Sequence, residues 1–160
     1  MKDITIDYAL RATWQAVARM YNEEAKKFDS TMAIGFTLLS VDPKTGTPST
    51  ALGPKMGMEA TSLSRILKRM EEQGLIERKP NPKDGRGVLI YLTEFGLEKR
   101  NDSKNVVLRF DESVKNNISE DKINSFFEVM ETINELITEK NIYNNDNLMS
   151  DQDSLDSKTD

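Results

Sequence analysis

Gly57 and Gly74 bracket a segment whose apolar residues, Leu63, Ile66, Leu67 and Met70, recur at the three- and four-residue steps of a helix. Such a helix must bury one face and leave the other in water. Before Gly57, Ser49 or Thr50 opens a shorter helix with Leu52 and Met56 on one side, and Gly57 suits the left-handed residue that ends it. Pro54 is tolerable only in a first turn, so this helix is expected to be short or to start late. Gly74 stops the longer helix. Leu75 to Lys79 then reads as a strand, Pro80 to Gly87 as turn chemistry throughout, and Val88 to Leu92 as a second strand. Short helix, glycine turn, striped helix and basic-tipped hairpin are the parts of a winged helix-turn-helix.

Helices are expected on both sides of this head. Over 4–28, Ile6, Leu10, Trp14, Val17, Tyr21, Ala25 and Phe28 keep the helical period. Ser30 or Thr31 caps a helix over 32–42, ended by Pro43, and residues 43–48 form a turn cluster. Thr93 caps a helix running to about residue 116, with Phe95, Val106, Val107, Phe110 and Val114 as packing residues. Ser119 starts the last helix, with Glu120 and Asp121 in its first turn, where acids suit the helix dipole. Ile123, Phe126, Phe127, Met130, Ile133 and Ile137 line one face of it. They exceed what a small domain needs for its own core, and a surplus apolar face seeks a partner. The fold class is mainly α with a small β-hairpin.

Composition narrows the chemistry. The 160 residues fit one core, and they include neither cysteine nor histidine. Disulfides, thiolate metal sites and the commonest general base are thereby absent, and no carboxylate pair stands apart from the helix surfaces. No catalysis, metal or cofactor is expected. No apolar run approaches a membrane span, and the first residues lack a signal-peptide layout, so a cytoplasmic location is expected. The net charge of −5 argues at first against a polyanionic partner. Its distribution reverses that. Residues 53–93 carry Lys55, Arg65, Lys68, Arg69, Arg78, Lys79, Lys83 and Arg86 against Glu59, Glu71, Glu72, Glu77 and Asp84, a net-positive block. Residues 144–160 carry five aspartates against Lys158, an acidic tail expected to be disordered.

The solvent face of the striped helix presents Thr61, Ser62, Ser64, Arg65, Lys68 and Arg69. Short hydroxyls followed by cations suit a major-groove floor and its flanking phosphates, and arginine pairs bidentately with guanine. Thr50 and Lys55 are counted with them. Lys83 and Arg86 sit on the hairpin tip, where a protruding arginine fits a narrow minor groove. Asp84, between them, is read as wing-orienting, holding Arg86 extended through a charge-assisted bond.

The stretch from Thr47 to Arg100 resembles the MarR family of winged helix-turn-helix regulators. The residues that carry the resemblance are Leu52 to Met58, Thr61 to Leu67, Met70 to Arg78, the wing Asp84-Gly85-Arg86, and Val88 to Gly96. The family's Asp-x-Arg wing, followed by a strand ending Leu-Thr-x-x-Gly, is its most specific signature and is intact here. The resemblance implies a homodimer on a pseudo-palindromic operator in double-stranded DNA, with recognition helices roughly 34 Å apart. It implies a division into an N-terminal dimerisation helix (1–30), a winged helix-turn-helix (31–100), C-terminal dimerisation helices (101–143) and the acidic tail (144–160). It also implies a cleft for small amphipathic or aromatic anions, with Trp14, Met20, Tyr21 and Phe36 as candidate lining. Gly53-Pro54 is less helical than the family pattern, and the absence of cysteine excludes the peroxide-sensing branch.

Each assignment has a plainer counterpart. Arg65, Lys68 and Arg69 alone describe a solvated helix face, and Arg86 alone an exposed ion pair. Trp14 and Tyr21 are ordinary packing aromatics, and Met56 and Met58 fill core positions of the reading head. The competing function is a winged-helix protein–protein module without specific DNA binding.

Overall fold

Helix α1 (Ile6–Lys26) follows the apolar spacing of its sequence. The chain leaves it through Asp29, whose φ of 52° lies in the left-handed region that Asp tolerates better than most residues. Thr31 caps α2 (Met32–Ser40), its hydroxyl accepting the Ile34 N–H at 3.2 Å. The Asn22 side-chain oxygen accepts the Met32 N–H at 3.0 Å and ties the two helices. The computed structural model describes residues 4–82, 84–139 and 142, with the backbone alone for 84–86. The expected acidic tail, residues 144–160, therefore lies outside the described residues, as does Lys83.

The segment 43–48, expected as turn alone, also carries a strand. The Asp42 carboxylate accepts the N–H groups of Lys44 and Thr45, each at 2.8 Å, and closes the turn. Gly46 follows with φ 70°, and a Cβ there would stand 2.9 Å from the Ile90 carbonyl. That close approach delivers β1 (Thr47–Pro48) to β3 (Asp84–Leu92), Thr47 opposite Ile90. β2 (Ile76–Asn81) pairs with the other side of β3, giving an antiparallel sheet of order β1-β3-β2. The ladder runs further than local composition suggests. It passes Pro80 opposite Val88 and reaches Asn81 opposite Asp84 after an irregularity. Pro80 is accommodated because β2 is an edge strand, so its missing N–H breaks no second ladder.

Helix α3 (Ser49–Met56) is short, as expected, but does not start late, and it holds Pro54 in its second half. The proline forfeits one helical hydrogen bond. Burial of Leu52 and Gly53 offsets that loss. Helix α4 (Ala60–Glu72) buries Leu63, Leu67 and Met70. These join Ile34, Leu38, Val41, Leu52, Leu75, Ile76 and Ile90 in one core, with Met56 and Ile66 packed at its margin. Each such side chain contributes about 1.5–3 kcal/mol on burial.

The end of α4 and the start of α5 (Glu94–Lys115) are locked together. Gly74, with φ 71°, ends α4, and Leu75 donates back to Met70 at 2.9 Å. The Thr93 hydroxyl donates to the Gly74 carbonyl at 2.6 Å and accepts the Gly96 N–H at 2.9 Å. Gly96 lies so close to the strand entry that a Cβ would be 1.9 Å from the Leu75 carbonyl. The Leu-Thr-x-x-Gly sequence thus has a steric cause.

The chain divides into two units, Met1–Phe110 and Asp111–Asp160, so the boundary falls within α5. The first holds the core described above. The second contains α6 (Glu120–Thr138), whose N-cap is Ser119, and none of the α6 residues is buried. Phe126 and Phe127 are 53% and 57% exposed, their rings edge-to-face at 5.4 Å. Phe95, expected to pack, is instead 47% exposed. No described helix is long and apolar enough to cross a membrane.

Two outcomes are expected. Gly96→Ala forces a methyl into a backbone carbonyl and lowers stability by about 3 kcal/mol in urea denaturation, whereas Gly57→Ala, with open space around its Cβ, costs about 1–2 kcal/mol. The two backbone N–H groups hold the Asp42 carboxyl below its ordinary pKa. The turn's stabilisation is therefore present above the ordinary carboxylate pKa and is lost as pH falls through the lowered folded value. Hydrogen exchange at Lys44 and Thr45 accelerates across that interval, and pH-independent exchange after correction for intrinsic rates would refute the link.

Candidate nucleic-acid interface

The buried stripe of α4 fixes what its opposite face shows. With Leu63, Leu67 and Met70 turned inward, Thr61, Ser62, Ser64, Arg65, Lys68 and Arg69 are all exposed. Thr50 and Lys55 are exposed on α3. Gly57 sets the turn between the helices: its φ is 60°, its N–H reaches the Pro54 carbonyl at 3.3 Å, and Met58 donates to Gly53 at 3.0 Å. A Cβ on Gly53 would stand 3.1 Å from the Met58 carbonyl, so the small residue that looks unhelical in the sequence lets the turn close.

Geometry sorts the basic block into engaged and available cations. Arg78 donates to Glu71 at 3.0 Å and joins β2 to the end of α4. Lys79 pairs with Glu77 at 2.7 Å and lies 4.9 Å from the Tyr91 ring centroid. The hydrogen bond to Glu77 raises the Lys79 pKa. Lys68 reaches Glu72 only at 3.9 Å, with both side chains well exposed. Such a pair is worth little. Lys55, Arg65 and Arg69 have no ion-pair partner among the described residues. The positive charge that remains free is thus concentrated on the outer faces of α3 and α4. Lys83 and the side chains of Asp84 and Arg86 lie outside the described residues, while the backbone places Asp84 and Arg86 at the start of β3.

A second feature lies elsewhere in the first unit, a cavity of about 570 Å³ bordered by α1, α2 and α5. Tyr21 and Phe36 line it, their rings edge-to-face at 5.7 Å. Trp14 and Met20 are not among its lining residues. Trp14 instead stacks on Phe36 at 6.4 Å, and Met20 is half-buried on α1. Phe28 and Phe95, expected only as packing residues, line it together with Lys99 and Asp102, for which the sequence carries no signal. Lys99 contacts Asp102 at 3.0 Å, and that hydrogen bond raises its pKa.

Residues 33–88, from α2 through the first half of β3, match the MarR family model. That head is a MarR-family segment. Among curated MarR-type relatives, the organic hydroperoxide resistance transcriptional regulator of Bacillus subtilis is 49% identical over 45 residues, 28% of this chain and 31% of that protein. The multiple antibiotic resistance protein MarR of Escherichia coli is 35% identical over 78 residues, 49% of this chain and 54% of that protein. The matches thus span about a third and about half of these two relatives' lengths. The likeness of fold extends further. The S. aureus MepR–DNA complex superposes with a TM-score of 0.76 at 18% identity, covering 84% of this chain and 99% of that one.

Because Arg65 and Arg69 are exposed and unpaired, Arg65→Ala and Arg69→Ala should each change unfolding free energy by less than about 0.5 kcal/mol. A urea midpoint shift well beyond that would show that these cations hold the fold.

Proposed function

We propose that this chain is a cytoplasmic, homodimeric, sequence-specific DNA-binding transcriptional regulator. It acts as a repressor on a pseudo-palindromic operator and is released by a small amphipathic or aromatic ligand. The observation that carries this reading is the outer face of α4, where hydroxyls and unpaired guanidinium groups stand exposed over a buried inner stripe. Hydroxyls and arginines without intramolecular partners suit phosphate oxygens and base edges. One solved structure that shares this fold, at a TM-score of 0.76, is itself a DNA complex, which supports the same use of the head. Arg86 is assigned to the minor groove, with Asp84 orienting it, and Lys83, Lys55 and Thr50 to phosphates.

Self-association is supported by apolar surface that the described chain leaves uncovered. On α1, Ile6 and Trp14 are exposed, and on α6 so are Phe126, Phe127 and Ile137. Burying such residues against a second copy supplies a dimer's driving force. The division into dimerisation helices (1–30 and 101–143) around the reading head (31–100) rests on those faces. Ligand release requires two dimer geometries, one of which the ligand binds better, and the cavity beside Tyr21 and Phe36 is the place assigned to it.

Fluorescence anisotropy across a salt series, with upstream intergenic DNA and a scrambled control, tests the reading. Tight, selective binding with two protomers per site and a steep fall of log affinity with log salt is expected. Equal, weak binding to both DNAs would favour a protein-binding winged helix. Arg65→Ala should cost about 1–3 kcal/mol and relax specificity at one position per half-site if Arg65 reads a base. A uniform loss across sequences would make it a phosphate contact. Arg86→Ala should weaken operator binding with the dimer intact, and unchanged affinity would remove the wing from the interface.

A further inference from the structure

The sign of charge around the cavity in the first unit differs from what an anionic ligand needs. Four charged residues border it: Lys27, Asp29, Lys99 and Asp102. Lys27 contacts Glu24 at 2.6 Å. Lys99 contacts Asp102 at 3.0 Å and Glu98 at 3.6 Å. Both ammonium groups are thus already matched by carboxylates, and an entering anion would meet no free cation. Asp29, by contrast, has no ion-pair partner among the described residues. The four bordering charges sum to zero, but Glu24 and Glu98, from outside the lining, also pair with the two lysines, so Asp29 is the one bordering charge left unmatched among the described residues.

The aromatic lining points the same way. The Lys99 ammonium lies 5.5 Å from the Phe95 ring centroid and 5.8 Å from that of Phe28. Both distances fall within the range in which a ring face attracts a cation. The chain's own positive group is therefore already settled against two of the cavity's rings and two carboxylates. Tyr21 and Phe36 supply further aromatic surface deeper in the molecule. The volume of about 570 Å³ suits a drug-sized molecule.

We infer that the cavity takes a lipophilic organic cation, with Asp29 as its counter-charge and the rings of Tyr21, Phe28, Phe36 and Phe95 as its apolar and cation–π surface. This rests on the effector reading above and fixes the charge class of that effector. It reverses the anionic preference that the family resemblance implies.

The test uses the full-length chain and two probes of nearly equal size and opposite charge, tetraphenylphosphonium and tetraphenylborate. The single tryptophan, Trp14, stacks on the cavity residue Phe36, so its emission reports occupancy. The phosphonium should saturate one site per chain and bind about tenfold more tightly than the borate. Asp29→Asn should weaken the phosphonium roughly fivefold, the upper range for an exposed ion pair. Asparagine accepts the left-handed backbone at this position, so the variant keeps the fold, and an unchanged urea midpoint verifies that. Equal affinities, tighter borate binding, or an Asp29→Asn variant with undiminished affinity would each overturn the inference. So would the absence of saturable binding by either probe, as when a second copy's side chains fill the cavity. Operator binding is measured separately on the same protein. Lost DNA recognition with retained cation selectivity would sink the regulator reading, and the converse result would sink only the cavity assignment.

Discussion

The Thr93 hydroxyl and the missing side chain of Gly96 meet the carbonyls of Gly74 and Leu75, and four elements of the first unit converge there. Helix α4 ends, β2 begins, β3 ends and α5 begins within one hydrogen-bonded knot. The knot leaves β2 no freedom of register against β3, because Leu75 and Thr93 are joined just outside the Ile76–Leu92 pair. With the strand entry fixed, α4 has one rotation that buries Leu63, Leu67 and Met70. That rotation decides which residues face water. The exposure of Arg65 and Arg69 is in this sense a consequence of a threonine and a glycine more than twenty residues further along the chain.

Local chemistry was the legible part of the sequence. Thr31, Thr93, Gly57 and Gly74 each act within a few residues of themselves, and each stands at the helix boundary its chemistry suggested. The inward stripe and outward face of α4 also follow from spacing alone. What escaped notice depends on distant partners. β1 is two residues long and contains a proline, so no alternation marks it, and only its pairing with Ile90 and Leu89 makes it a strand. The hairpin ladder extends through residues of turn-like composition because pairing with a central strand outweighs local preference. Pro54 suits only a first turn by local chemistry, yet it stands in the second half of α3, whose Leu52 and Gly53 are buried.

The candidate site divides along the same line. Which cations are free could not be read from a count of charges, since Arg78 and Lys79 look the same as Arg65 and Arg69 in the sequence. The difference is that Glu71 and Glu77 lie within reach of the first two in space. The cleft that the family resemblance implies was given candidate lining on α1 and α2 only, which included Tyr21 and Phe36 but had no signal for Phe95, Lys99 or Asp102 on α5.

β2 forms one border of the sheet, and Glu77, Arg78, Lys79 and Pro80 stand exposed along it. An unprotected border of this kind would recruit strands from other molecules. Proline offers no N–H to a newcomer, and three consecutive charged side chains resist the desolvation that a stacked strand would require. The same four residues that give the hairpin its polar outline thus make this edge a poor template for strand addition.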